Sequence, residues 1–444
     1  MNNNKLSNRL YKMFENNNVN DTFLNINIDK NITDKLLNHQ ILHLYDLITS
    51  LTDNNIAIDG SQTGSGKTYV AIAIAKHLNL KPLIICPKNV ISMWKEICKL
   101  FDVEPLLIIN YENIKKGLQT DILMIKSNKF IWSIQKTKHI LIFDEAHRCK
   151  DIKSINAKLL LSTKGICKTL LLSATLTDKP ENFYIYGNML SLFNTMKQCR
   201  TLMLDIIKNG KNNMSNINPI NLFLFPKYGS VMINEKLPKN IISAMCYDLD
   251  NENIKSINDA IHIIKDNLEI TKIIIARQMI ELIKIPIIID LTTKYIDSGK
   301  SVVIFVNYIE TLMKLSQSLN TLCLIHGKLT DEERENNINN FQNNKEKIII
   351  LTLQSGGQSI SLHDKNGHHP RVSIILPSFS SIDLIQALGR IHRAGVKSYC
   401  YQNIIFCANT YEENICNKIK NKIKFMKDIN EFNDNDFKLN DIHF

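Results

Sequence analysis

Short runs of Ile, Leu, Val and Phe recur along this chain, separated by longer stretches in which apolar residues return every three or four positions. The runs Ile56-Ala57-Ile58-Asp59, Leu83-Ile84-Ile85-Cys86, Leu106 to Ile109, Ile122 to Ile125, His139 to Phe143 and Leu170 to Leu172 predict strands, and Leu36 to Ile48, Tyr69 to Leu80 and Ser92 to Leu100 predict helices. Strands that are apolar on both faces and alternate with helices imply βαβ units and a parallel sheet covered on both sides. The class is therefore α/β. From about residue 180 to 285 the alternation breaks into helical stretches (Phe183 to Phe193 and Ile254 to Ile285) around a polar loop, Lys208 to Asn218. It resumes at Val302-Val303-Ile304-Phe305, then helix Ile309 to Leu319, strand Leu322 to Ile325, helix Asp331 to Phe341, strands Lys347 to Leu351 and Val372 to Leu376, and a helix from Asp383 to Arg390. A last stripe, Ile415, Ile419, Ile423 and Met426, with Lys418, Lys420, Lys422 and Lys424 away from it, reads as a packing helix.

This pattern divides the chain into a polar leader (1–30), a first α/β lobe (31–179), a helical insertion or linker (180–285), a second α/β lobe (286–428) with the boundary near Pro286, and a polar, acidic tail (429–444). A length of 444 residues suits such a two-lobe chain. Hydrophobic residues at 44% and charged ones at 22% point to a soluble globular protein rather than a disordered or fibrous one. The net charge of +11 favours a polyanionic partner, since Lys and Arg that neutralise phosphates release condensed counterions. Ten cysteines without a CxxC pair indicate neither a zinc site nor a disulfide framework. The leader lacks the apolar core of a signal peptide, and Ile283 to Ile296 is interrupted by Lys284, Pro286, Asp290 and Lys294. No membrane association is expected, and the expected compartment is cytoplasm, nucleus or a viral factory or virion.

The stretch between the first strand and the helix after it concentrates the chemistry. Ser61-Gln62-Thr63-Gly64-Ser65-Gly66-Lys67-Thr68 is a phosphate-binding loop: its glycines let backbone N–H groups approach phosphates at the positive end of a helix. Lys67 can reach the β/γ oxygens, and the Thr68 hydroxyl can hold Mg²⁺. Gln40 lies 27 positions before Lys67, on a helix that can lie beside the loop and offer its amide to the edge of adenine. The strand ending at Phe143 runs into Asp144-Glu145-Ala146-His147, which would place Asp144 on the metal and Glu145 as the general base beside the attacking water. Ser173-Ala174-Thr175 ends the next strand, and its hydroxyls could sense the γ-phosphate side. In the second lobe His326-Gly327 closes a strand, Ser355-Gly356-Gly357-Gln358 forms a glycine turn, and the segment from Gln386 to Gly395 carries Arg390 and Arg393. Three apart on a helix, these two would share one face and could neutralise charge growing on a transferring phosphoryl group.

Taken together and in this order, Gln40, SQTGSGKT at 61–68, DEAH at 144–147, SAT at 173–175, IHG at 325–327, DEER at 331–334, SGG at 355–357 and QALGRIHRAG at 386–395 resemble the superfamily 2 helicases and translocases over residues 36 to 426. Three features are similar to the SWI/SNF-like branch: Leu237-Pro238-Lys239, the segment from Ile325 to Phe341, and QALGRIHRAG itself. The branch's arginines before LPxK are absent, its usual glycine and asparagine are here Ser359 and Ser361, and Val396 stands where Gln is common. The Asn-, Ile- and Lys-rich composition also resembles helicases encoded by giant DNA viruses.

The resemblance implies two RecA-like lobes clamping ATP and Mg²⁺. Ser61 to Thr68 and Gln40 would hold the nucleotide, Thr68 and Asp144 the metal, and Lys67, Asp144, Glu145, Gln386, Arg390 and Arg393 would be catalytic. It further implies a monomeric motor, brought to its substrate by a recruiting protein, that couples hydrolysis to translocation on or remodelling of nucleic acid, DNA favoured over RNA. Two alternatives stand beside it: an ATP-dependent RNA helicase, with which DEAH and SAT agree equally, and a non-enzymatic nucleic-acid-binding scaffold with a vestigial cleft.

Overall fold

A computed structural model of the chain describes residues 26–117, 122–127, 129–174, 176–177, 180–210, 224, 227–230, 237–250, 252–257, 269–356, 360–378, 380–393, 395–408, 410, 412 and 415–416. Most of the leader, Thr175, Gly357 to Ser359, Ala394, the greater part of the last helical stripe and the tail lie outside the described residues.

The chain forms two compact units, the first reaching to Ile233 and the second starting at Asn234, with the short stretch Gln62–Ser65 grouped with the second. In the first, a parallel sheet is built from β1 (Ile56–Asp59), β2 (Lys81–Cys86), β3 (Leu107–Asn110), β6 (His139–Asp144), β7 (Lys168–Leu172) and β8 (Gly229–Ser230), in the order β3-β2-β6-β7-β1-β8. A small antiparallel hairpin, β4 (Leu123–Lys126) and β5 (Lys129–Trp132), stands apart from it. Helices α1 (Asn38–Asn54), α2 (Lys67–His77) and α3 (Ile91–Leu100) pack on the sheet. The core on that face joins Leu44, Leu47 and Leu51 of α1, Val70 to Ala75 of α2 and Trp94 and Ile97 of α3 to Ala57, Ile84, Ile142 and Leu170 of the strands. The middle of α2 is buried all round by its alternating Ile and Ala, which holds the phosphate loop against a fixed support.

The second unit repeats the arrangement. β9 (Asn240–Tyr247), β10 (Ser301–Val306), β11 (Leu324–Ile325), β12 (Ile348–Thr352), β13 (Arg371–Ile375) and β14 (Cys400–Cys407) form a parallel sheet in the order β11-β12-β10-β13-β14-β9. Helices α4 (Glu269–Ile283), α5 (Ile285–Asp297), α6 (Ile309–Ser318), α7 (Asp331–Gln342) and α8 (Ser381–Leu388) belong to it. Along β10 successive side chains alternate between two separate cores: Val303 and Phe305 join α8, while Val302, Ile304 and Val306 join α5 and α6. This is the period of two expected of a strand buried on both faces. Both units are RecA-like parallel-sheet domains, in agreement with the fold class read from the sequence.

The stretch 180–285, read as a helical insertion or linker, holds the helices Tyr184–Met189, Met196–Gly210 and α4 and, in addition, two strands. β8 within it extends the first sheet beside β1, β9 extends the second beside β14, and Glu281 of α4 accepts bonds from the backbone of Asn307 and Tyr308 at the end of β10. Pro286, taken as a boundary, stands in the first turn of α5, where a missing N–H costs nothing. Edge strands of two or eight residues flanked by polar sequence leave little periodic signal. A second difference concerns the arginines: α8 ends at Leu388, with Gly389 as its C-cap, so Arg390 and Arg393 lie in the turn that follows the helix.

Candidate functional site

In the first unit β1 delivers the phosphate loop and α2 receives it. Gly66 takes a left-handed conformation (φ +88°) at the N-cap of α2, and Gly64 is likewise left-handed (φ +85°), so both positions call for glycine. The Lys67 ammonium donates to the Ser61 carbonyl at 2.7 Å, and Ser65 Oγ to the Gln62 carbonyl at 2.8 Å, which folds Ser61, Gln62, Thr63, Gly64 and Ser65 back over the lysine. At the loop's entry the buried carboxylate of Asp59 accepts from the Ser61 N–H at 3.0 Å, and His43 Nε2 lies 3.0 Å from its Oδ2. Burial opposes the charge on Asp59, but His43, Lys67 and Ser61 outweigh it and hold the carboxyl below its ordinary value.

Gln40 comes to this loop as its spacing suggested. It is buried on α1, its Oε1 accepts the Leu37 N–H at 2.9 Å, and its Nε2 occupies the space that a Cβ on Gly66 would need. A side chain larger than hydrogen at Gly66 would therefore meet Gln40 as well as the positive φ.

The end of β6 carries the acids. Asp144 is 8% exposed; its Oδ2 accepts from the indole Nε1 of Trp94 at 3.0 Å and its Oδ1 from the Glu145 N–H at 2.9 Å. Burial, and next the like charge of Glu145, push the Asp144 carboxyl up to about 7 against the pull of Trp94 and Lys67. Glu145 holds a left-handed backbone (φ 52°, ψ 50°), an unfavourable conformation for a residue other than glycine that commonly marks functional turns. Two phenols fasten this turn: Tyr111 donates to the Asp144 carbonyl at 2.8 Å and Tyr186 to the Ala146 carbonyl at 2.9 Å. His147 Nδ1 stands 3.2 Å from Glu145 Oε2 and 3.3 Å from Ser173 Oγ, so one ring links DEAH to the SAT segment; Thr175 is outside the described residues.

The donors present fit Mg²⁺. A hydroxyl at the start of α2 (Thr68) and the Asp144 carboxylate are hard oxygens of the kind that hold this ion by one or two protein contacts with water and substrate phosphates completing the shell. Asp144, a buried carboxylate whose charge is disfavoured, is also where a divalent cation would lower a pKa again.

In the second unit Gln386 is buried on α8, and Arg390, 1% exposed, follows it. Arg390 Nη1 and Arg393 Nη1 donate to the same carbonyl, that of Ile360, at 3.2 and 3.1 Å, and Arg393 adds a 2.7 Å bond to Ser361 Oγ. Arg390 and Arg393 thus do not share a helical face; the turn after α8 instead brings the two guanidinium groups to one carbonyl. Arg334 of α7 reaches the Ser355 carbonyl at 2.8 Å. Of the acids before it, Glu333 is structural: with Thr330 it forms a reciprocal capping box at the start of α7.

Sequence reasoning missed Trp94, Tyr111, Tyr186, His43 and Asp59. An indole or phenol buried in a core needs a partner for its polar atom, and Asp59 is a charge at the end of a wholly buried strand, so each carried a signal of chemistry without an address.

Comparison with known proteins agrees with this geometry. The DEAD/DEAH box helicase family matches residues 45–183 and the helicase conserved C-terminal domain family matches residues 283–395. The chain is 35% identical over 451 residues to a protein of Acanthamoeba polyphaga mimivirus named "Putative ATP-dependent RNA helicase L364", covering 89% of this chain and 84% of that one. It is 22% identical over 428 residues to the "Uncharacterized ATP-dependent helicase MG018" of Mycoplasma genitalium, covering 86% of this chain and 41% of that longer protein. Among solved structures it is similar in fold to S. cerevisiae Dbp5 bound to RNA and ADP BeF3, with a TM-score of 0.52 at 12% identity over 92% of this chain and 93% of that one. With the phosphate loop, the paired acids and the arginine turn on two RecA-like sheets, the chain belongs to the superfamily 2 helicases, as an ATP-hydrolysing, nucleic-acid-binding member.

Proposed function

We propose that this chain is an ATP-dependent RNA helicase. The observation that carries this reading is the 35% identity, spread over 89% of the chain, to a protein named as an RNA helicase. The fold shared with an RNA-bound protein supports it in outline. It replaces the preference for DNA and for the SWI/SNF-like branch, whose glycine and asparagine positions are here serines; one of these, Ser361, is engaged by Arg393.

In this reading Gln40 recognises the base, Ser61 to Thr68 cradle the phosphates and Lys67 exchanges its bond to the Ser61 carbonyl for the β/γ oxygens. Thr68 and Asp144 would hold Mg²⁺, which when bound neutralises phosphate charge. Glu145, fixed by its backbone turn and by His147, orients the attacking water and accepts its proton. Arg390 and Arg393 supply positive charge to the transferring phosphoryl group, and Gln386 supports them from the last turn of α8. The His147 link to Ser173 passes the state of the acids to the SAT segment. Work takes place in the virus-infected cell if the relationship to the mimivirus protein extends to origin.

The test is the ATPase rate against single-stranded RNA, single-stranded DNA and duplex DNA at two salt concentrations. RNA should stimulate most, and less at high salt because phosphate contacts release counterions. Strong stimulation by duplex DNA with none by RNA would restore the translocase reading.

A further inference from the structure

The second unit has a basic, aromatic groove on the rim of its sheet where the strands begin. Three lysines enter it from separate segments: Lys239 immediately before β9, Lys300 immediately before β10 and Lys397 shortly before β14. Tyr399 and Tyr401 line it with them, and the groove has a volume of about 790 Å³ with no acidic residue in its lining. The strand order brings these positions side by side, because β10, β13, β14 and β9 are consecutive neighbours; Lys347, exposed and just before β12, continues the line on the other side of β10. Five parallel strands at the usual spacing make a basic edge about 20 Å long.

Beside the apolar Leu237, Pro238 and Pro370, the lining offers the positive charges and rings that a phosphate strand with bases requires. The Lys300 ammonium sits over two rings, 4.9 Å from the centroid of Tyr401 and 5.4 Å from that of Tyr295, so its charge is held at the groove floor. Tyr399 is 59% exposed, which leaves a ring face open for a base to stack on. Lysines that track a backbone and an exposed aromatic face are the two parts of a single-strand binding surface. The groove is also tied to the arginine turn: His392, between Arg390 and Arg393, bonds the Pro238 carbonyl at 2.9 Å, and the Lys397 N–H donates to the Asp364 carbonyl at 2.9 Å.

We infer that this rim is a second binding site for a single-stranded nucleic acid, on the unit that carries the arginine turn. The inference rests on the nucleic-acid reading above and adds to it a site at the start of the strands, whereas the phosphate loop and Asp144 stand at the ends of β1 and β6. Three phosphate contacts should steepen the salt dependence of binding by about 2 in log–log slope, at roughly 0.7 per contact on a single strand.

The test measures binding of a fluorescent oligouridylate to the full chain by anisotropy across a salt series, for the wild type, for Lys239→Gln/Lys300→Gln/Lys397→Gln and for Tyr399→Ala. The triple variant should lose about 2 from the slope, and Tyr399→Ala, at an exposed position the fold does not need, should weaken binding about tenfold. Unchanged slope and affinity in both variants would overturn the inference. So would a peptide of residues 428–444, with its acids Asp428, Glu431, Asp434, Asp436 and Asp441, that competes with RNA on the wild type but not on the triple variant, since the groove would then belong to an acidic segment. The two readings separate cleanly: ATP turnover without nucleic acid should be unchanged in the triple variant, and a wild-type chain that binds no oligonucleotide refutes the helicase reading itself.

Discussion

The indole N–H of Trp94 donates to the Oδ2 of Asp144 at 3.0 Å, inside a core where the indole is fully buried and the carboxylate nearly so. This bond uses one oxygen of a carboxylate whose charge is already disfavoured by burial and by Glu145, and it is one of the few interactions that favour the ionised form. Trp94→Phe keeps an aromatic ring in the core, though a smaller one, and deletes the donor. A lost hydrogen bond to a charged group is worth about 1.5–3 kcal/mol, so the variant should fold, with a lower melting temperature, and lose about tenfold or more in ATPase rate. An unchanged rate at saturating ATP and Mg²⁺ would show that Trp94 only fills space.

Lys67 and Glu145 test the phosphate site directly. Lys67→Ala removes the ammonium that folds the loop over its own carbonyl, and Glu145→Gln removes the base while keeping its shape and its backbone turn. Both should abolish ATP turnover, but only Lys67→Ala should also weaken nucleotide binding, as read by a fluorescent ATP analogue. RNA-stimulated turnover surviving either change would refute the assignment.

Arg390 and Arg393 share the Ile360 carbonyl, and a guanidinium differs from an ammonium in offering a fork of donors. Arg393→Lys should therefore behave nearly as badly as Arg393→Ala, each lowering kcat by about 10³ if the charge acts on the transferring phosphoryl group. Ser361→Ala, which deletes only the 2.7 Å anchor of Arg393, should cost far less. Equal losses in Ser361→Ala and Arg393→Ala would mean that the pair serves the fold rather than the reaction.

His363 supplies a pH dependence of stability. Burial first, then the cations Arg393, Lys365 and Arg371, push this histidine down to about 4, with Asp364 in opposition. In the unfolded chain it titrates near 6.5, so between those values the unfolded state binds more protons and stability falls as pH is lowered from about 6.5 to 4. The loss attributable to this residue is at most about 3.4 kcal/mol, and less because solvent screens a histidine that is only partly buried; His363→Gln should flatten urea-unfolding midpoints over that window relative to the wild type. The same pH slope in both proteins would count against it.

The sequence alone determined the α/β class, the two sheets, the phosphate loop with Gln40 beside it and the acids at a strand's end. It could do so because apolar periodicity, glycine turns and strand-to-acid junctions are local features, each set by residues that are neighbours in the chain. Only the tertiary structure decided that Trp94, Tyr111 and His147 support Asp144 and Glu145, that β8 and β9 extend the two sheets out of a stretch read as helical, and that Lys239, Lys300 and Lys397 form one rim. Their positions depend on strand order and on which side chains a fold brings together across tens to hundreds of residues. No periodicity in a single chain encodes that pairing, because it is fixed by how whole elements pack and not by how any one of them forms.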